Sequence, residues 1–313
     1  MHQELTKLGA QALRKAALNE EAKAYVLNNP PLFQTLKKAA DRYIGGETLA
    51  ETIGKAKAEN AQGYKCSIEF MGENVATEQE AHQATNEFVR IAQQIAQQSL
   101  HATVSLDLSH VGLALSRELG LANLTRILEA ARPNNTEVII SAEGVALTDA
   151  ILDTYLAVAP SYSHVSITLQ AYLHRSKDDF QALLQQPGRI RLVKGAFDAP
   201  PQRALPRGNA LNERYLEYLD QLLSAGHACS IATHHDKIQQ QARKLIDYYR
   251  ASPESYEFES LYGIQPEQLA ALKNEGHPAK VYFVYGKEWY LYLCNRLAEY
   301  PLNLFRALND MVN

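Results

Sequence analysis

The chain has 313 residues, 46% of them hydrophobic and 21% charged, with a formal net charge of -4. That balance leaves no basic footprint for nucleic acid, and no apolar run nears the ~20 residues that cross a bilayer. Cys66, Cys229 and Cys294 are far apart; they form no CxxC pair and suit a reducing, cytoplasmic setting without a metal site.

The N-terminal segment is amphipathic, carries Glu4 and lacks the apolar core of a secretion signal. Apolar periodicity predicts helices over 3–18, 20–27, 31–43 and 46–58, so residues 1–60 read as a helical lead-in. Over 61–313 short β-branched runs alternate with helical stretches. Strands are expected at 66–71, 102–108, 137–142, 165–170, 190–194, 228–233, 257–261 and 280–284. Helices are expected at 77–98, 113–131, 147–158, 176–186, 209–226, 235–250, 266–274 and 288–299. Eight such units predict an α/β fold whose parallel strands close into a (β/α)₈ barrel. A doubly wound open sheet is the competing topology. No GxGxxG follows the first strand, where Gly72 stands alone in FMGENVA, so a Rossmann dinucleotide site is not expected.

In a barrel the chemistry sits at the C-terminal strand ends. There the sequence puts Glu69, Glu73, Asp107, Ser141, Glu143, Gln170, Arg191, Lys194, Thr233, His234, Glu259 and Tyr282. Buried charges are costly unless paired or bound to a ligand, so the set as a whole points to a site. Tyr292, Arg296 and Glu299 share one face of the last predicted helix; Arg296 and Glu299 equally fit a surface ion pair.

Segments spaced along nearly the whole chain resemble the proline dehydrogenase family. Arg191-Leu192-Val193-Lys194-Gly195-Ala196-Phe197 is similar to the family's RLVKGAY, and Leu169-Gln170-Ala171-Tyr172 to its IQAY. Ala232-Thr233-His234 matches its ATH, and Phe258-Glu259-Ser260-Leu261-Tyr262-Gly263 is close to its FQMLYG. Asn295-Arg296 through Glu299 stands where the family has RRxxE, and YIGGETLAETI resembles its lead-in. The resemblance implies an FAD-dependent dehydrogenase oxidising a cyclic secondary amine. It places Arg191 near flavin N5 and Gln170 at the pyrimidine edge, with Lys194, Thr233 and His234 along the ribityl and diphosphate. Gly195 and Ala196 would let the cofactor approach the backbone. Tyr282 and Leu261 would flank the substrate ring, under a helix carrying Arg296 and Glu299. The implied acceptor is a quinone, with peripheral contact to the inner membrane. Structural alternatives stay open: an ion pair for Lys194, a satisfied core histidine for His234, and core filling for Tyr282.

Three positions depart from the family pattern. Asp107 replaces a lysine, Ser141 an aspartate and Asn295 the first arginine of RRxxE. Of three cations expected around a substrate carboxylate, Arg296 alone is kept. A buried Asp107 would then need a cationic partner on the ligand. Three activities are compatible with this pattern: a proline-like amine oxidised with altered carboxylate recognition, L-proline itself oxidised to 1-pyrroline-5-carboxylate, or an inactive flavin-binding barrel.

Overall fold

A computed structural model describes residues 2–72, 74–197, 199–299 and 302–312. Its lead-in is α1 (His2–Ala17), α2 (Glu20–Leu27), α3 (Pro30–Asp41) and α4 (Leu49–Ala61). Asn19 and Asn29 cap α2 and α3 through their side-chain oxygens, and Pro30 opens α3 where no N–H is needed. Helix α4 starts three residues after the predicted position. Thr48 and Glu51 form its capping box, while Gly45 and Gly46 bond to the end of the last strand instead, Gly45 N donating to Val284 O at 2.7 Å.

Eight strands follow: β1 (Lys65–Phe70), β2 (Ala102–Leu106), β3 (Val138–Ile140), β4 (Val165–Gln170), β5 (Ile190–Val193), β6 (Cys229–Ala232), β7 (Tyr256–Leu261) and β8 (Ala279–Tyr285). All pair in parallel with their sequence neighbours, and β8 closes on β1. The connecting helices are α5 (Glu78–Gln97), α6 (Arg117–Ala131), α7 (Thr148–Val158), α8 (Ser176–Leu183), α9 (Asn209–Ser224), α10 (Asp236–Tyr249) and α11 (Pro266–Asn274). Then come α12 (Trp289–Glu299) and α13 (Leu302–Val312). The closed barrel bears out the expected fold. Helix α13 was not expected, and β2 stops two residues early, because the chain turns into a short 3₁₀ segment at Ser109–Val111.

Apolar and polar residues alternate along the strands. Outward-facing Ile68, Val104, Ile140, Ile167, Leu192, Ile231, Phe258 and Phe283 build the main apolar core. Branched apolar layers usually fill such a barrel; here the inward positions carry a polar network. Glu137 bonds Lys65 at 2.9 Å and accepts from Ser166 at 2.7 Å, and Lys65 reaches Glu257 at 3.3 Å. Lys280, wholly buried, contacts Glu257 at 2.5 Å and Glu259 at 2.8 Å. Pairing offsets the desolvation of these ions: burial alone would raise the Glu257 carboxyl, but Lys280, Lys65 and Arg189 hold it well below the usual range.

A second apolar cluster joins the lead-in to the C-terminal end of the barrel. Ala39, Ala40, Tyr43 and Ile44 pack with Tyr282, Trp289, Leu293, Leu297 and Ala307, so α12 is held against the lead-in beside the strand ends. No helix among the described residues is long and apolar enough to cross a membrane.

Candidate active site at the C-terminal end of the barrel

The inward end of β8 carries Tyr282, which is buried. Its hydroxyl donates to Glu69 of β1 and lies 2.7 Å from Ser105 Oγ of β2 and 3.4 Å from Ser141 Oγ beyond β3. Ser105 and Ser141 are themselves 3.1 Å apart. From β5, Arg191 lies over the Tyr282 ring, 4.6 Å from its centroid, and its Nε bonds Glu259 of β7 at 2.5 Å. Tyr282, Arg191 and Ser141 therefore meet at one mouth.

Asp107 follows Ser105 on the same inward side, one residue past the end of β2. Asp107 was expected to be buried with its partner on the ligand; it is half-buried and makes an interaction within the protein. Its position one residue past β2 puts it among the strand ends. Nearby Glu143 is buried, and it accepts from the backbone N–H of Ser109 at 3.0 Å. Gln170, at the end of β4, donates to the Glu143 carbonyl at 3.0 Å.

His234 follows β6. Its Nε2 accepts from the backbone N–H of Leu261 at 3.1 Å, tying the ends of β6 and β7 together. Burial, with the charges of Arg296 and Arg191 nearby, pushes its pKa down to about 4, so the ring is neutral at neutral pH. The same influence places Arg296 of α12 close to the mouth. Its guanidinium lies 4.9 Å from the centroid of Tyr292. Asn295 is half-buried on the same helix, and Leu261 is half-buried within the second apolar cluster. Glu73 and the side chain of Glu299 lie outside the described residues.

Lys194, just past β5, is half-buried. Burial and then Arg207 lower its pKa, and Arg207 donates to the Gly195 carbonyl at 3.0 Å. His235, whose side chain caps α10, is lowered in turn by burial, Lys194 and Lys237. Among the described residues no carboxylate pairs with Lys194, so its ion-pair alternative finds no support. Thr233 accepts from His235 N at 3.2 Å. Gly195 has a structural reason for being glycine, whatever it does for the cofactor. Its φ is +112°, and a Cβ would come within 2.2 Å of the Tyr172 ring, so the side chain of Tyr172 fills the space. Ala196 is exposed.

Sequence reasoning missed Arg207, His235, Ser105 and the Glu257–Lys280–Glu259–Arg191 chain. Two-residue spacing of charge along β7, at Glu257 and Glu259, signals the last of these; Arg207 lies in a loop with no such signal. A cleft of about 830 Å³ lies beside Tyr64, Tyr262 and Asp310 and includes Ser260 and Leu261 at the end of β7.

A sequence model described as "Proline dehydrogenase" matches residues 52–303. The chain belongs to the proline dehydrogenase family. It is 33% identical over 273 residues to proline dehydrogenase 2 of Bacillus subtilis strain 168, covering 87% of this chain and 90% of that one. Against proline dehydrogenase of Deinococcus radiodurans it is 27% identical over 284 residues, covering 89% and 92%. The fold is similar to that of proline utilization A (PutA) from Bdellovibrio bacteriovorus, with a TM-score of 0.79 at 18% identity over 89% of this chain. The match spans about a third of that longer protein, 34% of its length. Family membership makes this chain an oxidoreductase of the class acting on CH–NH groups.

Proposed function

We propose that this protein is an FAD-dependent dehydrogenase that oxidises a proline-like cyclic secondary amine to an imine, with carboxylate recognition unlike that expected for free L-proline. The observation that carries the reading is an asymmetry at the mouth. The cations expected on the cofactor side, Arg191 and Lys194, are kept. On the substrate-carboxylate side stand Asp107, Ser141 and Asn295, with Arg296 as the one kept cation.

The donor set fits FAD. Lys194 and Arg207 form a cationic pair beside the N-terminus of α10, suited to a diphosphate, with the neutral His235 ring next to them. Arg191 and Gln170 would hold the isoalloxazine, and His234 and Thr233 would border the chain between ring and diphosphate. FAD supplies a two-electron acceptor for the hydride lost from the carbon beside nitrogen. Arg191 would favour negative charge at the acceptor edge, while the Tyr282 ring and Leu261 orient the substrate ring. Arg296, on α12, would cover the substrate and meet any carboxylate it carries. The reduced site would pass electrons to a quinone, in a cytoplasmic protein that meets the membrane surface peripherally.

The position of Arg296 near His234 and Arg191 favours a second reading, L-proline oxidation through one arginine. An anaerobic screen of amines, following loss of flavin absorbance, separates the two. Bleaching by decarboxylated or amide analogues ahead of proline supports the first reading, and bleaching by proline alone the second. A flavin-loaded protein inert to every amine would instead indicate a flavin-binding barrel without catalysis.

A further inference from the structure

We propose that Glu259, held in place by Lys280, acts as an electrostatic brake on Arg191 and lowers the reduction potential of the bound flavin. The inference rests on the flavin reading above.

The first observation comes from sequence. Glu259 stands where the FQMLYG pattern has glutamine, so this chain has an acid where a neutral amide of the same size would do. The second is geometric. Arg191 Nε lies 2.5 Å from Glu259 Oε1, and the other oxygen, Oε2, lies 2.8 Å from Lys280 Nζ. The latter is an ion pair without hydrogen-bond alignment, since Oε2 has no hydrogen-bond partner. Lys280 is also 2.5 Å from Glu257 and 3.4 Å from Ser230 Oγ. Charge thus alternates Glu257–Lys280–Glu259–Arg191 from the barrel interior to its mouth.

The third observation is burial. The Glu259 side chain is 1% exposed and that of Lys280 0%, so little solvent screens their fields. Burial would raise the Glu259 carboxyl, but Arg191 and Lys280 outweigh it and keep it ionised. Arg191 therefore meets the mouth with its charge largely compensated from behind. Flavin reduction adds negative charge, so a compensated arginine stabilises the reduced form less than a free one would. A lower potential makes amine oxidation less favourable and onward electron transfer more so.

Spectroelectrochemical titration of flavin-loaded wild type, Glu259→Gln and Glu259→Asp tests this. Glu259→Gln should favour the reduced form by ten-fold or more, about 30 mV in the positive direction for a two-electron couple. Glu259→Asp, which keeps the charge, should stay near wild type. If Glu259→Gln fails to fold because Lys280 loses a partner, the double variant Glu259→Gln, Lys280→Met still frees Arg191 from its nearest anion and should show a smaller positive shift, since the lost lysine charge partly offsets it. Equal potentials in the loaded wild-type and glutamine proteins, or in the double variant where that is the one that folds, would overturn the proposal while leaving the flavin reading intact. Failure of the wild type to take up FAD would defeat both.

Discussion

Arg191 and Tyr282 are stacked face to cation, 4.6 Å from guanidinium carbon to ring centroid, across the mouth of the barrel. The contact gives Tyr282 two separable parts. Its ring supports Arg191, and its hydroxyl donates to Glu69 beside Ser105 and Ser141.

Tyr282→Phe keeps the ring, so FAD content and thermal midpoint should remain near wild type while substrate affinity falls. Tyr282→Ala should also lose roughly 3 kcal/mol or more of stability, because a fully buried ring leaves a cavity. Thermal melts, flavin-to-protein ratio and amine saturation curves measured together check this. Unchanged substrate affinity in Tyr282→Phe would place the hydroxyl outside the pocket and leave core filling as its role.

Lys194 should oppose stability in the flavin-free protein. Its folded pKa is below the ordinary 10.5 because of burial and Arg207. The unfolded chain therefore binds more protons just below pH 10.5, and stability rises with pH through that window. Lys194→Met should leave the flavin-free melting midpoint equal or higher, yet weaken FAD binding by about ten-fold or more, the worth of a charge-assisted contact. In the wild type, FAD affinity should fall as pH climbs toward 10.5. Fluorescence titration with FAD at several pH values reads both effects. A lowered melting midpoint with unchanged affinity would make Lys194 structural.

Much of this arrangement was legible in the sequence. The run Val165–Gln170 reads as a strand at its observed bounds because β-branched residues fill it and turn signals flank it. Eight such runs and the intervening helices imply a closed barrel, and the strand ends locate the mouth. The barrel's polar interior was not legible in the same way. Lys65, Glu137 and Glu257 lie at the starts of strands or just before them, where a search for catalytic groups does not look. Their pairing depends on the closure that brings β8 beside β1. Tyr172 against Gly195, and Arg207 beside Lys194, are loop contacts whose partners lie 23 and 13 positions apart, with no periodic signal. Helix α13 was missed because it follows the last barrel unit, where no further element is required. It packs through Ala307 into the second apolar cluster, and Arg42 pairs with its Asp310.

His234 should make the protein sensitive to acid. Its pKa is about 4 in the fold against an ordinary 6.5, so the unfolded chain binds more protons between these values. Stability is then fully present above about pH 6.5 and falls as pH drops toward 4, by at most roughly 3 kcal/mol. Gln at this position can still accept from Leu261 N but does not titrate. Between pH 7 and 4.5, His234→Gln should lose less stability to urea than the wild type. Parallel losses would assign the acid sensitivity to other groups, among them His110, also near 4.

Free L-proline should be a poor substrate, and Asp107 the main reason. A substrate carboxylate about 4 Å from Asp107 meets a repulsion of order 4 kcal/mol at an effective dielectric of about 20. At equal distance it cancels the attraction of Arg296. Asp107→Lys with Asn295→Arg should raise kcat/KM for proline by on the order of 10² or more, a few kcal/mol of transition-state binding. Glu69 and Glu143 near the mouth supply negative charge that favours a lysine there. Ser141 is best left unchanged, because its hydroxyl lies among Ser105, Tyr282 and Glu69, and an aspartate would crowd a second carboxylate against Glu69. Steady-state kinetics with proline and with its amide and decarboxylated analogues, for wild type and the double variant, gives the comparison. Wild-type turnover of L-proline with kcat/KM of ~10⁴ M⁻¹s⁻¹ or above would reject the altered-substrate reading and leave an L-proline dehydrogenase that binds its carboxylate through Arg296.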